Sequence, residues 1–258
     1  MSHNLFERTT DLLGVFDDLS SSDAEGWERA AQFREYSDPV INKHWQASEY
    51  PLDLVSRLGS LDVMTDGLDV PGHKKMSTLE AGLTLMEITR ADASMGTVIA
   101  VQAGLAMRSI AMLGSEEQKA EYLPQMASCS LLGAFGLTEP DHGSDSIALE
   151  TTAVRDGDEW VLNGEKKWIG NGASGGITII YARMENGNVS GFIVPQDTPG
   201  YSATVIEGKL SLRAIHQAHI ALKDCRIPAA NQLPGCRSFK DVSRVLTATP
   251  VSYTHLTL

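Results

Sequence analysis

The stretch Trp168-Ile-Gly-Asn-Gly-Ala-Ser-Gly-Gly-Ile-Thr-Ile-Ile-Tyr181 decides between two architectures. Its Gly170-Asn-Gly172-Ala-Ser-Gly175 segment matches G-x-G-x-x-G, the turn that opens a dinucleotide-binding fold. That motif works only when a helix follows, because the pyrophosphate rests on the helix N-terminus. Here residues 176–181 form a β-branched run that reads as a strand. The glycines therefore join two strands, and a nicotinamide site is not expected. Outward from this loop, Asp156-Gly157, Asn163-Gly164 and Asn186-Gly187 are hairpin dipeptides, since a type I′ turn needs positive φ at both central positions. They separate expected strands at 150–155, 159–162, 165–169, 177–183 and 189–194, with 202–206 and 218–222 closing the sheet. No helical period intervenes, so the sheet is expected to be mainly antiparallel, a barrel or sandwich of about 100 residues.

Upstream of residue 131 the pattern is helical. Leu79, Leu83, Met86 and Arg90 keep a three-to-four spacing over an expected helix at 77–92. The segment 94–112 is rich in small residues and apolar on nearly every face, which reads as a buried helix. Shorter helices are expected at 23–36, 38–47 and 53–59, and Ser115 with Gln118 spells a capping box. After Leu233-Pro-Gly235 a helix at 238–247 is stopped by Pro250. The fold class is α+β, with an all-helical domain over 1–131 and a middle β domain over 132–235. Residues 236–258 read as the truncated start of a C-terminal helical domain with an atypical tail.

Among the 258 residues, 21 Lys and Arg stand against 33 Asp and Glu, a net charge of −12. Nucleic acid and anionic membranes need a dense basic patch to displace counterions, so neither is an expected partner. Apolar runs such as 177–182 are about a third of the roughly 20 residues that span a bilayer, so no membrane insertion is expected. The N-terminus lacks a basic-then-apolar leader, which points to the cytoplasm. Cys129, Cys225 and Cys236 form no C-x-x-C pair and read as buried thiols. His216 and His219 fall on opposite faces of an extended segment, so no metal site is expected. Met107, Met112 and Met126 read as core filler.

The most informative piece is Gly136-Leu-Thr-Glu-Pro-Asp-His-Gly-Ser-Asp145. A strand ends at Leu137, Pro140 fixes one φ, Gly143 lets a ligand approach the backbone, and Ser144 and Asp145 turn N–H groups and a hydroxyl outward. Such a loop can form an anion-binding nest, although composition alone fits an ordinary capped turn. Trp168 lies 30 residues after Thr138, and a hairpin between them can carry the chain out and back to one cleft.

At this point the chain resembles the acyl-CoA dehydrogenase family, flavoenzymes built of a helical, a β and a second helical domain. Residues 134–145 resemble one family signature, and Leu162-Asn-Gly-Glu-Lys-Lys-Trp-Ile169 resembles the other. Gly114-Ser-Glu-Glu-Gln-Lys119, Tyr122-Leu-Pro124, Arg226-Ile-Pro228 and Gln232-Leu-Pro-Gly235 match its flanks. Within the family the chain is most similar to the glutaryl-CoA dehydrogenase group and its short-chain acyl-CoA oxidase relatives. The resemblance implies FAD, held by Phe135, Gly136, Leu137, Thr138, Gly143, Ser144, Trp168, Ile169 and Gly170, with Ser144 also meeting the pantetheine of an acyl-CoA. It implies removal of the α-proton by a carboxylate while the β-hydrogen leaves as hydride to the flavin, electrons then passing to electron-transfer flavoprotein or, in an oxidase, to oxygen. A homotetramer is implied for the complete protein. Gly170 stands where many dehydrogenases carry a hydroxyl, which leaves the ring edge less covered and the oxidase reading open. Met95 and Gly96 stand where glutaryl-specific enzymes carry Tyr-Arg, so those substrate-facing positions disfavour a dicarboxylate. The family's catalytic glutamate belongs to the C-terminal domain, so no catalytic residue is assigned, and this chain alone is expected to be inactive. A non-catalytic flavin- or CoA-binding module remains the rival reading.

Overall fold

The structure is a computed structural model that describes residues 16–249. The expectations for the N-terminal leader region and the atypical tail lie outside the described residues.

Serine side chains start three of the helices by accepting an otherwise orphaned backbone N–H. Ser20 caps α1 (Ser21–Ser37) through Asp23 N–H, and Ser77 caps α4 (Thr78–Ala91) through Glu80 N–H. The anticipated capping box of Ser115 and Gln118 opens α7 (Glu116–Ala127). Between them lie α2 (Ile41–Ala47) and α3 (Leu52–Ser60), the latter burying Leu54, Val55 and Leu58 on one face. α2 starts three residues later than the sequence suggests, because Asp38–Val40 forms a turn. α1 packs on α4, whose buried Glu80 and Glu87 are neutralised across the interface by Arg29 at 3.1 Å and Arg34 at 2.9 Å.

α5 (Ala93–Ile99) runs through a π-helical segment, Ala100–Met107, into α6 (Arg108–Leu113). By length and composition this continuous rod could cross a membrane, which corrects the reading that no apolar stretch is long enough. Its most apolar window is 78% buried inside the fold, as befits a core helix. Met107 and Met126 are buried as expected, whereas Met112 is largely at the surface. The last described helix, α8 (Phe239–Thr247), lays Val242 and Val245 into the same core.

The β domain is one curled sheet of β1 (Gly133–Gly136), β2 (Thr152–Asp156), β3 (Glu159–Gly170), β4 (Ile177–Met184), β5 (Val189–Pro195), β6 (Tyr201–Val205) and β7 (Gln217–Pro228). The order is β1-β4-β2-β3-β7-β6, with β5 added to β4. Four ladders are antiparallel, while β1 and β2 each pair with β4 in parallel. The glycine run is followed by β4, a strand, as the sequence requires. Asn163-Gly164 is not a hairpin turn, and the two strands expected around it are the single β3. Gly164 sits at φ +143, where the β3–β7 register slips, and a Cβ there would lie 2.7 Å from Thr151 Cα. Only glycine permits that backbone contact. The three cysteines are buried free thiols.

Candidate functional site: an exposed indole beside a clamped turn

β3 ends in a bulge. Lys166 pairs with Ile220 and Ile169 with Ala218, so Lys167 and Trp168 face the single residue His219. The extra residue frees the Lys167 N–H, which donates to the Thr138 carbonyl at 2.9 Å. That bond joins the two segments singled out in the sequence. The next residue, Trp168, has φ +64 and an indole that is 52% exposed. A bulky residue in the left-handed region carries steric strain, and an exposed indole recovers little of it through burial. Strain and exposure thus coincide at Trp168.

The turn is held by a pair that the sequence reading passed over. Lys166 is fully buried, and its Nζ donates to Glu139 Oε1 at 2.7 Å and to the Leu137 carbonyl at 3.2 Å. Glu139 Oε1 also accepts from Thr151 N–H at 3.0 Å and Thr151 Oγ1 at 2.6 Å, and Oε2 accepts from Glu150 N–H at 2.6 Å. Burial alone would raise the Glu139 carboxyl, but the Lys166 charge and these hydrogen bonds outweigh it and hold the group at about 2. Burial also lowers the Lys166 ammonium, to about 8, against the pull of Glu139. A signal for Lys166 was available: Trp160, Leu162 and Lys166 share the inward parity of β3.

Of the other anticipated residues, Phe135, Gly136 and Leu137 are buried along β1 and its end, and Thr138 is half-buried. Gly143 and Ser144 are exposed, and a Cβ on Gly143 would meet nothing within 4 Å. Ile169 is buried in the core of the sheet. Gly170 is buried too, and a Cβ there would approach Val101 Cγ2 of the π-helical segment to 3.0 Å. A side chain at Gly170 would therefore press on Val101 and Ile215. Met95 lies wholly inside the helical core, and Gly96 backs onto Thr89, where a Cβ would fall 2.2 Å from Oγ1. The structure brings the turn and Trp168 together and leaves Met95 and Gly96 in the interior.

Two amides of the glycine loop are taken by one side chain and not left for a phosphate. Gln196 Oε1 takes Ser174 N–H at 3.0 Å and Gly175 N–H at 2.9 Å. Asn171, itself at φ +61, donates to the Gly133 carbonyl at 3.1 Å and accepts from Tyr50 Oη at 2.7 Å. His219 pairs with Glu165 at 2.8 Å, apart from His216, and the described residues contain no metal-binding cluster. On the far side of the clamped turn a cleft of about 350 Å³ is lined by Glu139, Asp141, Glu150 and Glu165, a poor home for an anion. Trp168, Gly143 and Ser144 are exposed, whereas the end of β1 is buried.

This fold, helices followed by a curled sheet whose strand bulge meets a clamped turn, defines a protein class. The family model described as acyl-CoA dehydrogenase, N-terminal domain, matches residues 27–130, and that of the middle domain matches 134–225. Together they cover most of the chain, which belongs to the acyl-CoA dehydrogenase family. The probable acyl-CoA dehydrogenase YngJ of Bacillus subtilis (strain 168) is 38% identical over 197 residues, 73% of this chain and 51% of the relative. The mitochondrial short-chain specific acyl-CoA dehydrogenase of Mus musculus is 36% identical over 191 residues, 71% of this chain and 46% of the relative. A crystal structure of glutaryl-CoA dehydrogenase from Mycobacterium smegmatis superposes with a TM-score of 0.91 at 36% identity, over 95% of this chain and 64% of that one. A second, in complex with FADH2, gives 0.86 at 34% identity, over 95% and 62%. The chain spans about half the length of the curated relatives it matches.

Proposed function

We propose that this chain forms the flavin-binding face of an FAD-dependent acyl-CoA dehydrogenase that oxidises a short-chain thioester between Cα and Cβ. The observation that carries this reading is the junction at Thr138, where its carbonyl takes the Lys167 N–H and sets an exposed, strained indole beside the turn. The FADH2-bound relative supports the same cofactor. Trp168, Ile169, Gly170 and residues 135–138 would hold the ring system, and Gly143 and Ser144 the phosphates and the pantetheine. When bound, FAD supplies a two-electron acceptor for the hydrogen that leaves Cβ. The residues of this chain orient the reactants and exclude water from one side. Glu139, saturated by four donors and held at about 2, is no proton acceptor. On the strength of the family resemblance, the base is assigned to a part of the parent protein beyond these residues, and on that reading this chain alone is inactive. The acceptor fitting a dehydrogenase is electron-transfer flavoprotein, the complete protein is a homotetramer, and its compartment is the cytoplasm.

Titrating the purified chain with FAD while following flavin fluorescence tests the reading. Saturable binding that Trp168→Ala weakens about tenfold, or 1.4 kcal/mol, supports it. FAD affinity indifferent to Trp168 refutes it, and dye reduction with butyryl-CoA by this chain alone refutes the placement of the base.

A further inference from the structure

We propose that the buried Glu139–Lys166 pair is a positioning device that fixes the Trp168 indole against the Thr138 turn and so sets the affinity of the flavin face. The proposal rests on the flavin reading and adds to it residues that never touch the ligand. Lys166 Nζ is bonded to both neighbours of Thr138, the Leu137 carbonyl at 3.2 Å and Glu139 Oε1 at 2.7 Å. Thr138 itself is bonded to Lys167. Residues 137–139 are thus locked, one after another, onto the two residues that precede the indole. Thr151 and Glu150 fasten the same carboxylate from a third segment, at 2.6–3.0 Å.

Stability does not explain why ions stand here. Removing two charges from water largely cancels their attraction, and a well-packed apolar pair would hold the fold as well. An apolar contact, however, tolerates lateral sliding, whereas a carboxylate with four donors accepts few arrangements. Trp168 needs that restriction, since its left-handed backbone persists only when flanking contacts over-determine it. On its other side the anchors are buried Ile169 and Asn171. Lys166 is the anchor on the side of the turn.

The test compares Lys166→Met, Glu139→Gln, the double variant and the milder Thr151→Val in the 258-residue chain, well below each melting midpoint. Three quantities are read: FAD affinity, Trp168 emission (as the difference from a Trp168→Phe partner), and hydrogen exchange at the Lys167 amide. The expected result is FAD affinity about tenfold or more weaker in Lys166→Met, with shifted Trp168 emission and faster Lys167 exchange. Thr151→Val moves all three the same way by less. The double variant recovers thermal stability without recovering FAD affinity, a split that a merely structural role would not give. Variants that melt earlier yet keep wild-type FAD affinity and Trp168 emission overturn the proposal. Should the unaltered chain bind no FAD, the flavin reading fails by itself. Emission and exchange, measured without FAD, then decide the positioning role, and wild-type values in Lys166→Met overturn it. If Lys166→Met does not fold, Thr151→Val decides by the same readouts, and wild-type values in it overturn the proposal.

Discussion

Replacing Gln102 by leucine unties the joint between the helical and β domains. Gln102 is fully buried in the π-helical segment. Its Nε2 donates to the carbonyls of Met126 and Leu131, each at 2.9 Å, and its Oε1 accepts Gly133 N–H at 2.6 Å. Leucine fills nearly the same volume, so the cavity cost is small and the polar cost stands alone. Met126 keeps a second donor, Cys129 N–H at 3.1 Å, and loses little. The Gly133 N–H is left buried, and the Leu131 carbonyl half-buried, without this partner. A buried orphan costs about 1–3 kcal/mol, so Gly133 accounts for that much and the half-buried Leu131 carbonyl adds a smaller share. Water cannot rescue them cheaply, because Met126 and Ala106 already crowd Gly133, where a Cβ would lie 2.3 and 3.0 Å away. Gln102→Glu keeps the acceptor but turns a second oxygen toward two carbonyls, so its deficit should be largest at neutral pH. It should shrink under acid conditions, where a protonated carboxyl donates again. Urea unfolding of the two variants at pH 5 and pH 7 measures both effects. A Gln102→Leu chain within 1 kcal/mol of wild type, at unchanged m-value, would refute the claim that these three bonds hold the joint.

Acid should expose the Glu139 clamp. Its carboxyl falls from an ordinary 4.5 to about 2 on folding. A depressed carboxyl stabilises fully above its unfolded value and loses that share as pH falls through its folded one. The share is about 3 kcal/mol at 1.36 kcal/mol per pH unit. Between pH 6 and pH 2.5 the stability gap between wild type and Glu139→Gln, measured by denaturant unfolding, should therefore close by most of that amount; a constant gap would contradict the assigned shift. Trp168→Gly relieves the positive φ and should leave stability unchanged or raise it by up to about 1 kcal/mol, the melting midpoint following, while FAD binding weakens. Simultaneous loss of stability would show that the indole is structural. Tyr50→Phe removes the 2.7 Å bond to Asn171 and should cost about 1–2 kcal/mol. It should also speed exchange at the Asn171 amide, which donates to the His216 carbonyl; unchanged exchange would deny the link between domains.

The architecture was legible where one local rule sufficed. The serine caps and the β-branched run after the glycines each meant what propensity and period say they mean, and they gave the order of helices first and sheet second. Asn163-Gly164 misled because the dipeptide that makes a hairpin also makes a bulge. The choice is tertiary: Asn163 bonds Asp224 across the ladder, accepting its N–H at 2.8 Å, and the Thr151 backbone fills the space a side chain would need. Lys166 was missed because a charge in a strand reads as solvent-facing, although its parity in β3 pointed inward. The burial of Glu139, in a loop, becomes intelligible only once residues 27 positions apart are known to meet. Met95 and Gly96 were judged by what stands there in similar proteins, and their burial behind α4 depends on how two helices cross.

Two left-handed residues, Trp168 at φ +64 and Asn171 at φ +61, end the same strand within one turn of chain. Each is secured by a buried polar group that reaches a different part of the molecule: Lys166 to the turn after β1, Asn171 to β1 itself and to Tyr50 between α2 and α3 of the helical domain. Strain at such positions persists only when the surroundings leave no alternative, and here the surroundings come from both domains. The orientation of the indole is therefore a property of the assembled chain. The β-branched pattern of the sheet fixes where β3 runs, but polar contacts from outside the sheet fix how it ends. A ligand on that face would read the packing of the helical domain through Asn171 as surely as it reads Trp168.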